Sequence, residues 1–230
     1  MTTAVRRLFW PGVMSAAMVT VMLALGFWQL DRLAWKRDIL TRIDRSEGGT
    51  AVALSATPSP FTKVRVQGVF RHDQTAYYGA DVQLTPAGPK MGARLIVPMD
   101  RAEGPPVLID RGWVPLERQR PIAQPQGPVT VEGFIRLPDH PAWFSAEDDL
   151  AARRFYTLDP AKIAAAVGVA NVAPFVVVVL GQRPAEMFPL PASRMPRPPN
   201  DHLNYAITWF GLAFILAVIF TLYARKVTNP

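Results

Sequence analysis

LFWPGVMSAAMVTVMLALGFWQL, residues 8–30, runs for 23 positions without Asp, Glu, Lys or Arg, and HLNYAITWFGLAFILAVIFTLYA, residues 202–224, does the same near the other end. At 1.5 Å per residue each stretch makes a helix of roughly 35 Å, enough to cross a hydrocarbon core of about 30 Å. The core helix of a soluble domain is a poor account of so long an apolar run. The first stretch is also too long for a cleaved signal peptide. It ends in Trp28, Gln29 and Leu30 instead of a small-residue cleavage site, so it reads as an uncleaved signal anchor. The expected class is an α+β membrane protein with two transmembrane helices, 8–30 and 202–224, flanking a folded domain of residues 31–201.

The charge distribution assigns sides to that plan. The net charge is +7, which would suit a nucleic-acid binder, but Arg6, Arg7, Arg225 and Lys226 lie outside the two spans. Of 25 basic residues these four removed leave 21 against 18 acidic ones, a balance of only +3 for the middle. The composition therefore points away from nucleic acid. Short basic tails beside membrane spans are cytoplasmic by the positive-inside rule. This puts tails 1–7 and 225–230 in the cytoplasm and residues 31–201 outside it. Arg32, Lys36 and Arg37 open a long segment, where the rule loses force. The chain has no cysteine, which excludes disulfides, cysteine-ligated zinc, iron–sulfur clusters and covalently attached c-type haem.

Residues 31–201 hold 21 of the 23 prolines, and these divide short apolar runs. KVRVQGVF (63–70) alternates as a half-buried strand does. Ala93–Met99, Pro106–Val114, Val129–Ile135 and Pro174–Leu180 are further strands bounded by Gly and Pro. One helix has both ends marked, with Asp159 as N-cap, Pro160 at its first position and Gly168 just past its end. The expected domain is β-rich and antiparallel, barrel- or sandwich-like, with at least one helix. Residues 187–199 (MFPLPASRMPRPP) read as a stiff proline-rich connector into the second span.

Catalytic motifs are missing. His72, His140 and His202 form no close pair, and the chain has no nucleophile elbow, P-loop or dinucleotide fingerprint. Glu147-Asp148-Asp149 and Arg153-Arg154 read as solvated loops. The membrane boundary is richer. Both junctions of the domain lie on one side of the bilayer whichever way the chain is oriented. Trp28, Gln29, Arg32, Trp35 and Lys36 thus approach the same layer as His202, Asn204, Tyr205 and Trp209. His202, Tyr205, Ala206 and Trp209 fall at i, i+3, i+4 and i+7 of the second helix, one face headed by an imidazole. An interfacial aromatic belt accounts for Trp10, Trp35 and Tyr223 but not for a histidine on the same stripe as Trp209, two turns inside the span. Small residues recur every four positions, at Gly12, Ala16, Thr20 and Ala24 and at Ala213, Ala217 and Thr221. This spacing predicts close helix packing along those stripes, on each other or on a partner's helices.

Six segments in order resemble the Surfeit locus protein 1 family of haem-copper oxidase assembly factors. They are Leu25–Lys36, Val66–Phe70, Val107–Pro115 with its Arg-Gly-Trp-Val-Pro motif, Val129–Arg136, Tyr156–Asp159 and Asn200–Phe210. Asp110 and Asp201 stand where Asn is common in the family. The resemblance implies a non-catalytic protein that promotes insertion of haem a, carried as cargo, into oxidase subunit I, with haem A synthase as a further partner. By motif it makes His202 the haem-iron ligand. Tyr205, Trp209, Trp28 and Gln29 would then surround the macrocycle, and Arg32 and Lys36 would pair with its propionates. Two other readings stay open: a scaffold that stabilises subunit I without haem, and a membrane-anchored, haem-modifying enzyme.

Overall fold

The computed structural model describes residues 3–85, 88–117, 120–140, 143, 145–182 and 187–228. The chain is α+β and divides into two compact units, one holding the long terminal helices and the other running from Ile43 to Pro196.

The first unit holds α1 (Thr3–Gly48) as far as Arg42 and all of α3 (His202–Thr228), each helix long and apolar enough to cross a membrane. Helix α1 does not stop where its apolar run ends. Residues 31–47 contain neither Gly nor Pro and include four Arg and two Leu, good helix formers, so the helix continues to the Gly48-Gly49 pair.

The two helices pack antiparallel, with Gly12 against Phe220, Gly26 against Phe210 and Gln29 against His202. A Cβ on Gly26 would lie 2.6 Å from the Phe210 ring, so any larger residue there would have to displace that ring. Less exposed positions recur at Leu8, Gly12, Ser15, Val19, Met22, Gly26, Gln29 and Leu33 on α1, and at His202, Ala206, Trp209, Ala213, Leu216 and Phe220 on α3. These steps alternate between four and three, the 3.5-residue seam of a left-handed pair. The every-fourth stripe expected from sequence is not that seam. Only Gly12 and Ala213 belong to it, while Ala16, Thr20, Ala24, Ala217 and Thr221 are exposed. A step of four drifts about 40° round the helix each time, so such a stripe winds off a straight contact.

The second unit is built on β1 (Val52–Ala53), β2 (Lys63–Phe70), β3 (Ala76–Thr85), β4 (Gly88–Asp100), β5 (Val107–Pro115), β6 (Val129–Arg136), β7 (Arg154–Phe155) and β8 (Val176–Val179), with α2 at Pro160–Val167. The sheet order is β1-β2-β6-β8-β5-β4-β3-β7. A further pairing of β2 with β4, Val69 opposite Asp100 and Phe70 opposite Met99, closes β2-β6-β8-β5-β4 into a small barrel. The expected antiparallel pairing holds for β2–β6, β6–β8, β4–β5 and β3–β4. It fails for β5–β8, which is parallel, as are the short pairs β1–β2 and β3–β7. The chain reaches β8 from β5 through a long connection that includes α2, and such a crossover is what a parallel neighbour requires.

Strand β5 and the second half of β4 are buried on both faces, which explains their nearly unbroken apolar runs. Leu95, Val97, Met99, Val107 and Ile109 join Val64, Val66 and Val177 in one core. Ile96, Leu108 and Val176 point the other way and pack under Ile163, Ala164 and Val167 of α2. Helix α2 has the ends its sequence marks: Asp159 Oδ1 accepts the N–H groups of Ala161 and Lys162, and Gly168 closes it at φ +76°. Strand β3 has no clean period because Gly79, at φ +74°, sits in a bulge between Tyr78 and Asp81 that shifts the register.

The proline-rich stretch is part of this unit's core. Leu190 exchanges both backbone hydrogen bonds with Trp113 at 2.8 Å, and Phe188 and Met195 are buried. The Phe188 ring meets Trp113 edge-on at 6.1 Å. The last turn of α1, from Ile43 on, belongs to this unit: Lys63 N–H donates to Ser46 Oγ and Met195 N–H to Glu47 Oε1.

Candidate functional site

Helix α3 begins at His202, and the seam with α1 decides what its imidazole meets. His202 Nδ1 lies 2.7 Å from Gln29 Oε1. An amide oxygen only accepts, so Nδ1 carries the proton and donates it. In the neutral ring the lone pair is then on Nε2, and among the described residues no group bonds that atom. Gln29 itself is buried, with Asp110 and Arg111 one of three polar residues to be so among the described residues. A metal-ligating histidine usually donates its other ring N–H to a carboxylate, a backbone carbonyl or water, and the Gln29 amide oxygen is an acceptor that can play the same part.

The other sequence-derived candidates divide around this pair. Trp209 is half-buried and stays on the His202 stripe, with Ala206 buried between them. Tyr205 is 57% exposed. At 100° per residue it lies about 60° from His202, at the margin of the face that α1 covers. Trp28 is exposed beside Gln29 on α1. Arg32 and Lys36 both approach the Trp35 ring, at 4.6 and 5.9 Å from its centroid, and leave their charges at the surface. Gln29 is legible as a candidate from sequence, but its role as the partner of His202 is not. Among the described residues no group of three His, Cys, Asp or Glu side chains could hold a bare metal ion.

A second polar constellation lies in the β-rich unit. On β5, Asp110 is almost wholly buried, accepts Arg94 Nε at Oδ2 and accepts the Gly112 N–H at Oδ1, 3.0 Å away. On β3, Tyr78 donates its hydroxyl to Asp139 at 2.7 Å, while Arg136 donates to both. Burial first, then the bond to Asp139, pushes the Tyr78 hydroxyl up to about 12. Burial alone would raise Asp139, but Tyr78, Arg136 and the Leu158 N–H outweigh it and hold the carboxyl below its usual range. The sequence signal for this network was one acidic residue inside the apolar run VLIDRGWV. The acidic cluster reads differently too: Asp148, expected in a solvated loop, has a side chain only 5% exposed, paired with Lys162 and the Tyr156 N–H.

The Asp139 shift sets a pH dependence. A carboxyl depressed in the folded state contributes its stability in full above its unfolded value near 4 and loses it as pH falls through the lower folded value. The side chain is one-third exposed, so the contribution is about 1 kcal/mol or less. Asp139→Asn is therefore expected to lower the thermal midpoint at pH 7 and to flatten its fall below pH 4. Parallel midpoint curves for the two proteins from pH 7 to pH 3 would refute this.

A model of the SURF1 family matches residues 16–214. A SURF1-like protein of Rickettsia felis is 29% identical over 218 residues, covering 91% of this chain and 95% of that one. A SURF1-like protein of Drosophila melanogaster is 26% identical over 211 residues, 82% of this chain and 69% of the relative. Surfeit locus protein 1 of Xenopus tropicalis is 24% identical over 212 residues, covering 82% and 67%. The matched range takes in both His202 and Gln29, the whole barrel, most of α1 and the first half of α3, and on that footing the chain belongs to the SURF1 family.

Proposed function

We propose that this chain is a membrane-anchored assembly factor for a haem-a-containing terminal oxidase. It receives haem a by way of haem A synthase, holds it as cargo at the membrane surface, and promotes its insertion into oxidase subunit I. Helices α1 and α3 span the bacterial inner membrane. Both termini are cytoplasmic and the barrel is periplasmic, an orientation supported by the arginines and lysine of the short tails.

The observation that carries the reading is the hydrogen bond from His202 Nδ1 to buried Gln29. It presents Nε2 as a neutral nitrogen ligand to iron at the head of an apolar helix. Haem a has a long isoprenoid tail and two carboxylates, so it suits a place where an apolar surface meets Arg32 and Lys36. Trp28, Tyr205 and Trp209 offer flat apolar cover to the macrocycle. A single axial histidine without a closed cage suits a carrier that gives its cargo up.

The test is haem content of protein purified from membranes that make haem a. His202→Ala is expected to lose the Soret band, because Ala keeps the helix and removes the iron–nitrogen bond. Gln29→Leu is expected to keep the ligand and weaken haem retention by about 10- to 100-fold, as loss of a supporting partner does. Wild-type haem with an unshifted Soret band in His202→Ala would sink the ligand assignment, whereas wild-type protein purified without haem would favour a scaffold that works without it.

A further inference from the structure

Within the β-rich unit a half-open cavity of about 690 Å³ is walled by Phe61, Phe134, Ile135, Leu137, Val178 and Pro196. Three guanidinium groups, of Arg94, Arg136 and Arg194, share that wall with Asp81, Asp110 and Asp139. The oxygens of Asp110 and Asp139 are already engaged by Arg94, the Gly112 N–H, Tyr78, Arg136 and the Leu158 N–H. Arg94 Nη2 is buried and has no hydrogen-bond partner among the described residues. A buried donor in that state normally signals a missing acceptor. Arg194 is exposed and forms no ion pair among the described residues. The wall is strained as well. Phe61 holds φ +62°, costly for a bulky side chain, and is kept there by its N–H bond to the Ile135 carbonyl at 2.9 Å.

We propose that this cavity binds an amphipathic anion, an apolar chain with an oxyanion head, the chain lying on Phe61, Phe134 and Val178 and the head taken by Arg94 and Arg194. The size and the mostly apolar lining with a few convergent polar groups are those of a small-molecule site. A planar guanidinium is the side chain that grips a carboxylate or phosphate through paired N–H groups. The site is independent of His202. The head belongs either to a free fatty acid or to a phosphate-bearing lipid.

The full chain in nanodiscs is exposed to a diazirine-bearing hexadecanoate, irradiated, and the labelled peptides are mapped. Label is expected at residues 60–61, 134–137 or 192–196. Unlabelled hexadecanoate or phosphatidic acid should compete, the stronger competitor identifying the source, and Arg194→Gln should cut the labelling about tenfold with an unchanged melting profile. Label confined to α1 and α3, equal competition by hexadecanol, competition by inorganic phosphate alone, or undiminished labelling of Arg194→Gln would each overturn the proposal.

Discussion

Gly112→Val is expected to leave no folded β-rich unit. Gly112 sits at φ +125°, a conformation that side chains with a Cβ rarely adopt. A Cβ there would lie 2.1 Å from the Leu190 carbonyl oxygen and 2.4 Å from its carbon, so it meets backbone and not a side chain that could turn aside. That backbone is held, since Trp113 and Leu190 exchange two hydrogen bonds of 2.8 Å. Making room means breaking both, at about 1 kcal/mol each. It also means withdrawing Phe188 from Trp113, about 2–3 kcal/mol of lost apolar burial. With about 1–3 kcal/mol for the backbone strain, the total reaches much of the 5–15 kcal/mol that a domain has. The check is accumulation in membranes and resistance to limited proteolysis of the purified protein. A protease-resistant variant melting within a few degrees of wild type would show that the 188–192 segment is dispensable.

Asp110→Ala is expected to cost about 3–5 kcal/mol, the usual penalty for leaving one member of a buried ion pair alone. Asp110 is 1% exposed, and without it both the Arg94 guanidinium and the Gly112 N–H lose their acceptor. Asp110→Asn is expected to lose about 1–2 kcal/mol, because the amide oxygen still accepts from Gly112 while its NH₂ faces Arg94. Replacing both partners, as Asp110→Asn with Arg94→Met, should recover part of that loss by removing the uncompensated charge. Thermal unfolding of the four proteins at pH 7 measures the order. Equal midpoints for the Ala and Asn variants would mean that the pair is solvated and that its burial does not govern stability.

Local pattern made much of this fold readable. An uncharged run of 23 residues long enough to cross a bilayer reads as a helix, because in a hydrocarbon layer the backbone must satisfy its own hydrogen bonds. The strands at 63–70, 107–115 and 129–136 and helix α2 carry their alternation, turn residues and caps in themselves. Where local pattern was broken, reading failed. Strand β3 was hidden by the bulge at Gly79, and the polar half of α1 by the end of its apolar run. The stripe of small residues does not mark the contact between α1 and α3, because close packing is chosen by both helices together. Phe210 and Phe220 of α3 select Gly26 and Gly12 from the small residues that α1 offers.

By itself, then, the sequence determined two apolar helices, a β-rich middle, a capped α2 and a histidine at the first turn of the second long helix. Those follow from periodicity and composition over a few turns, where each residue's neighbours in space are its neighbours in the chain. Only the tertiary structure decided that β2 reaches β4 to close the barrel, that Leu190 lies across Gly112, and that Arg94 and Asp110 share one buried site. It also decided that His202 meets Gln29, 173 residues away. Such pairings depend on helix register and barrel closure, set by the summed packing of many side chains, and no local stretch of sequence carries that sum.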